Sequence, residues 1–129
     1  MRLLLDTQIL VWLAENRRRL NSFERAALAG GSELLVSTLS LMELRIKARA
    51  ERRREKPMSL LSPADAIAFC DARDIALCPV LPIVTTVLLS DDPPQGDPFD
   101  ELLLAHAHAL GARLLTRDEK LSDHPLAYR

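Results

Sequence analysis

Four acidic residues stand where short apolar runs give way to polar sequence or where the next helix begins. Asp6 follows Leu3-Leu4-Leu5, and Glu43 comes a short distance after Leu34-Leu35-Val36. Asp100 lies in Asp97-Pro98-Phe99-Asp100, and Asp118 comes after Leu114-Leu115-Thr116-Arg117. In a sheet of parallel strands such positions fall at one end of the sheet, where open α/β folds bind ligands. Carboxylates gathered there repel one another, a cost that a hard divalent cation with oxygen ligands removes. The set therefore implies Mg²⁺ or Mn²⁺ better than any one member does.

Taken singly, each acid also has a structural explanation. Asp6 would cap a helix following the first strand, and Ser40-Leu41-Met42-Glu43 fits an S-x-x-E capping box. Asp97 would cap a helix with Pro98 at its first position, leaving Asp100 in the first turn, where the helix dipole favours negative charge. Asp118 would close a turn.

The elements that must hold these residues are legible from periodicity and punctuation. Leu3–Leu5, Leu34–Val36, Ile75–Val80 and Arg113–Thr116 read as short strands, three of them wholly or nearly apolar, as strands buried on both faces are. Between them, helices are expected over Ile9–Ala14, Ser22–Ala29, Ser40–Arg52, Ser62–Ala72, Pro82–Ser90 and Asp97–Leu110. Gly30-Gly31 and Gly111 would act as stops, and Ser62 would cap the helix that Pro63 opens. Asp91 to Gly96 reads as a loop. Strands alternating with helices argue for an α/β fold with a central parallel sheet flanked by helices in three α/β/α layers.

Composition sets the outer limits. The chain has 129 residues and is 48% hydrophobic, sufficient for one core, so residues 1–129 read as a single domain. Cys70 and Cys78 have neither disulfide nor zinc spacing and read as reduced thiols. The start has no signal-peptide pattern, and the longest uncharged stretch, Ile75–Ser90, is broken by Pro79 and Pro82; the reading is cytoplasmic with no membrane association. Net charge is only −1, but residues 1–64 carry 12 Lys/Arg against 7 Asp/Glu, and residues 65–129 carry 5 against 11. A basic surface beside an acidic centre suits a polyanion held near metal ions; two solvated faces of opposite sign explain the same count.

Four segments together resemble the acidic motifs of PIN-domain proteins, in particular the VapC-type toxins of bacterial toxin–antitoxin pairs: Leu5-Asp6-Thr7, Ser37 to Leu44 with Lys47 beyond, Asp97-Pro98-Phe99-Asp100, and Leu115-Thr116-Arg117-Asp118. Trp12 matches an aromatic common in the first helix of that group. The resemblance spans essentially the whole chain. It implies a PIN-like fold and a Mg²⁺- or Mn²⁺-dependent ribonuclease with Asp6, Glu43, Asp100 and Asp118 as the catalytic, metal-binding quartet. Products would carry 5′-phosphate and 3′-hydroxyl ends. It further implies that Thr7 and Thr116 hydrogen-bond to the quartet, that the chain forms a homodimer or larger assembly, and that a cognate antitoxin neutralises it. Asp97 supports the site as a helix cap. Three positions depart from the group: Gln8 and Gly96 where His is common, and Glu101 where Arg is common. They bear on substrate contacts, and none removes a proposed ligand.

After Glu43 comes a basic run of Arg45, Lys47, Arg49, Arg52, Arg53, Arg54 and Lys56, offset by Glu51 and Glu55. It is a candidate RNA backbone contact and equally a solvated helix end. At 4% aromatic, the chain offers no stacking platform for bases, which favours recognition of RNA shape. His106 and His108 are two apart on a helix, a poor metal pair, and read as surface or interface residues. A phospho-acceptor receiver would want an acidic pair after the first strand, and a haloacid-dehalogenase-like phosphatase would want Asp at position 8, which is Gln. Two further functions compete with the toxin: a catalytically silent PIN-like RNA-binding module, and a free-standing RNA-processing nuclease.

Overall fold

A computed structural model describes residues 1–53, 61–91 and 97–129 of the chain, with the Arg52 side chain outside the description. The loop expected over Asp91–Gly96 falls mostly outside these residues, as do Arg54, Lys56 and Gly96. Four strands, β1 (Arg2–Leu5), β2 (Glu33–Ser37), β3 (Ala76–Cys78) and β4 (Arg113–Leu115), form one parallel sheet in the order β3-β2-β1-β4. Leu4 of β1 is registered with Leu35 of β2 and with Leu114 of β4, and Val36 with Leu77 of β3.

Side chains alternate across a strand, and both faces are buried, as the unbroken leucine runs require. Leu3, Leu5 and Val36 join Ile9, Leu10, Leu44, Ala66 and Cys70 in one core. Leu4, Leu35 and Leu114 join Leu39, Leu103, Leu104, Ala107 and Leu121 in the other. The first core packs helices α1 (Thr7–Glu15), α2 (Ser22–Ala29) and α4 (Pro63–Ala72). The second packs α5 (Pro98–Leu110) and the short α6 (Glu119–Ser122), while α3 (Thr38–Arg53) contributes to both. The layers are therefore the expected α/β/α.

Local details differ from the sequence reading in informative ways. α3 starts at Thr38, directly from β2, so Ser40 is a helix-interior residue and not an N-cap. Ser37 supplies the capping bond, its Oγ accepting from Leu39 N at 3.0 Å. β3 is only three residues long, and Pro82–Thr86 is a 3₁₀ turn in place of the expected helix to Ser90. α6 and the C-terminal segment carry no periodic signal in the sequence. That segment runs beside β4, where Leu114 N donates to Leu126 O (2.8 Å) and Tyr128 N donates to Leu114 O (2.9 Å). Ser62 and Pro63 open α4 as expected. Gly111 ends α5 at φ +63°, a left-handed conformation that costs a side-chain-bearing residue energy. Cys70 and Cys78 are buried free thiols. No helix among the described residues is long and apolar enough to cross a membrane.

Candidate metal centre

Because all four strands are parallel, the chain leaves β1, β2 and β4 at the same end of the sheet, with β1 in the middle. Asp6 is the first residue beyond β1. Its backbone N–H still bonds Leu115 O of β4 at 3.0 Å, so its position is set by the sheet. One carboxylate oxygen accepts from Thr7 N at 2.7 Å, capping α1, and the other accepts the Thr116 hydroxyl at 2.6 Å. Thr116 Oγ1 in turn accepts Asp118 N at 3.0 Å. One threonine hydroxyl thus ties the Asp6 carboxylate to the backbone of Asp118.

Thr7 ties the other flank together. Its hydroxyl lies 2.8 Å from Glu43 Oε1 and 2.9 Å from Ser40 Oγ. A hydroxyl has one proton to give, and a carboxylate can only accept it, so Thr7 donates to Glu43 and Ser40 donates to Thr7. Thr7 and Ser40 are fully buried, and the chain Ser40–Thr7–Glu43 joins α1 to α3 beneath the site. The other oxygen of Glu43, Oε2, is 2.8 Å from Lys47 Nζ one helical turn on. Asp97 caps α5 through Phe99 N (2.9 Å), which puts Asp100 in the first turn, and Asp118 caps α6 through Lys120 N (2.9 Å).

The result is an open concavity of about 460 Å³ lined by Asp6, Gln8, Trp12, Glu43, Lys47, Asp97, Asp100, Arg117, Asp118 and Lys120. All four predicted acids and Asp97 meet there. Burial, followed by the charges of Asp97, Asp118, Asp6 and Glu43, pushes the Asp100 carboxyl up to about 6. Asp6 is also raised, by burial first and by Glu43 and Asp118; its bonds from Thr116 and Thr7 pull the other way. Mutual repulsion of this kind is what a bound cation relieves.

The donors are all carboxylate oxygens, the set a hard cation takes. No three His, Cys, Asp or Glu side chains among the described residues are gathered into a ready coordination shell.

Of the described residues of the basic run, only Lys47 lines the concavity. At 100° per residue, Arg45 and Arg49 project from the far side of α3 relative to Glu43, and Arg45, Arg49 and Arg53 are exposed. Arg117, which stands inside the fourth motif, Gln8, one of the departing positions, and Lys120, which no motif marks, also line the site. Arg117 is firmly held. It forms an ion pair with Glu24, which is only 2% exposed, donates to Arg19 O at 2.6 Å, and lies 4.2 Å from the centre of the Trp12 ring. Burial disfavours the Glu24 carboxylate, but the Arg117 and Asn21 hydrogen bonds and the Arg117 charge outweigh it and the pKa is lowered.

The expectation for His106 is corrected. It is 1% exposed, with Nδ1 2.8 Å from Ser37 Oγ, because its helix position faces the C-terminal end of β2 and not solvent. His108 is exposed as expected.

A family model described as "PIN domain" matches residues 3–125. The chain belongs to the PIN-domain family. This PIN domain is 31% identical over 121 residues to a protein named Ribonuclease VapC22 from Mycobacterium tuberculosis, covering 94% of this chain and 90% of that one. Its fold is similar to that in a crystal structure of VapBC2 from Rickettsia felis bound to a DNA fragment from their promoter, with a TM-score of 0.62 at 18% identity, covering 98% of this chain and 96% of that one.

Proposed function

We propose that this PIN domain is a divalent-metal-dependent ribonuclease acting in the cytoplasm as the toxin of a toxin–antitoxin pair, active as a homodimer and silenced by a cognate antitoxin. The observation that carries the nuclease reading is the meeting of Asp6, Glu43, Asp100 and Asp118 in one concavity at the C-terminal end of a parallel sheet. The 31% identity to Ribonuclease VapC22 over nearly the full length of both chains supports the substrate class and the toxin role.

Asp6 and Asp100 are the principal ligands in this reading, and Glu43 and Asp118 bind a second ion or orient the attacking water. Mg²⁺ or Mn²⁺, when bound, supplies water activation and charge relief on the phosphodiester oxygens. The chain's own part is positional. Thr116 and Thr7 hold the Asp6 and Glu43 carboxylates through hydrogen bonds, Thr116 also accepts the Asp118 backbone N–H, and Asp97 sets the first turn of α5. Water adds to phosphorus and the P–O3′ bond breaks, leaving a 5′-phosphate and a 3′-hydroxyl.

The test is cleavage of total and defined structured RNAs by partner-free protein in Mg²⁺ or Mn²⁺. Chelation with EDTA should abolish cleavage, and folded Asp6→Asn and Asp100→Asn variants should each lose at least ~100-fold in rate. Cleavage undiminished by EDTA and by both substitutions would overturn the assignment. For the toxin role, induced expression should arrest growth, and co-expression of a small DNA-binding protein encoded next to this chain should relieve it.

A further inference from the structure

We infer that Lys47 is an exchangeable counter-charge: it neutralises Glu43 while the acidic site is empty of cation, and moves to a substrate phosphate once a divalent ion takes its place. The inference rests on the metal-site reading above, in the form in which Glu43 itself takes an ion, and assigns to Lys47 a role in it.

Both oxygens of Glu43 are occupied. Oε1 holds the Thr7 hydroxyl deep in the fold, and Oε2 faces the concavity and holds the Lys47 ammonium at 2.8 Å. A divalent ion approaching Glu43 from the concavity meets Oε2, so it meets Lys47. Two cations on one carboxylate oxygen repel, and the one on the softer tether moves. Glu43 has 13% of its side chain exposed, whereas Lys47 has 46% exposed on a flexible four-carbon stem. Lys47 can leave; Glu43 cannot.

The other cations of the lining differ. Arg117 is fixed by Glu24, Arg19 O and the Trp12 ring, and Lys120 has no ion-pair partner among the described residues. Among the described residues, only Lys47 forms an ion pair with one of the quartet acids. Once displaced, its ammonium stays on the lining of the concavity, within a side chain's swing of any phosphate held over the carboxylates, where it offers a compact positive charge.

The experiment is a Mn²⁺ titration of the full chain by calorimetry, followed through Trp12 fluorescence as well, for wild type, Lys47→Met and Lys47→Arg, alongside RNA cleavage at saturating Mn²⁺. Lys47→Met should bind Mn²⁺ about two- to fivefold more tightly, the worth of a half-exposed ion pair that no longer competes. It should nevertheless cleave roughly tenfold more slowly, having lost a charged contact to phosphate. Lys47→Arg should keep wild-type Mn²⁺ affinity and recover part of the rate. A merely structural ion pair would not split the two readouts in opposite directions. Unchanged or weaker Mn²⁺ binding by Lys47→Met, or an unchanged cleavage rate, overturns the inference while leaving the metal site standing. No Mn²⁺ binding by wild type would overturn the metal reading and this inference together.

Discussion

Asp100 shows how much one residue can carry. Its carboxyl is pushed up to about 6 by burial and by four neighbouring acids, so the fold favours its protonated form. A group whose pKa is raised on folding contributes most below its unfolded value of 3.8 and costs stability once the pH passes its folded value. In metal-free protein the penalty therefore develops between about pH 4 and pH 6 and is complete at neutrality. Asp100→Asn should raise the stability of EDTA-treated protein at pH 7.5 by about 1–2 kcal/mol after allowance for solvent screening, a shift of several degrees in Tm. The gain should vanish below pH 4, and a variant no more stable than wild type at pH 7.5 would count against the crowding. The four acids are legible in the sequence because each stands beside a strand end or opens a helix. Ser40 is not, because its i,i+3 relation to Glu43 imitates a capping box whose true cap is Ser37.

At the scale of elements, the site depends on how α3, which packs into both cores, and α5, which packs into the second, are held against one sheet. The buried pair His106–Ser37 bridges them: Ser37 ends β2 and feeds α3, while His106 belongs to the helix that carries Asp100. Burial lowers the His106 pKa, against a hydrogen bond to the Pro79 backbone that raises it. A histidine kept neutral by the fold contributes stability above its ordinary value near 6.5 and loses it as the pH falls through the lowered folded value. Wild type should therefore lose more stability than His106→Gln between pH 7 and pH 5, read from urea midpoints. Equal losses would show that His106 does not titrate with unfolding. The two residues act with opposite sign on acidification, so the single variants separate them. Sequence spacing excludes His106 as half of a metal pair, but burial depends on which face of α5 meets the sheet. Periodicity in Leu103, Leu104 and Ala107 holds that information.

At the scale of the whole molecule, the parallel order β3-β2-β1-β4 converts four motifs dispersed along the chain into one concavity. Strand-and-helix alternation foretells the α/β layers, since short apolar runs that end in polar or turn residues fit strands buried on both faces. The last dozen residues are opaque, because a four-residue helix and a segment joined to β4 by two hydrogen bonds leave no period to read. That final segment has a consequence for solubility. An open sheet ends in two rows of unpaired amides, templates for edge-to-edge aggregation. Here one margin is a three-residue strand followed at once by Pro79, which has no N–H to offer a neighbour, and the other is sheathed by Leu126–Tyr128. Deleting residues 126–129 should bare β4 and give concentration-dependent light scattering that the intact chain lacks; a truncated protein that stays monodisperse would show the sheath to be dispensable. The tail of the chain thus occupies the margin of β4 along which a second chain would otherwise pair.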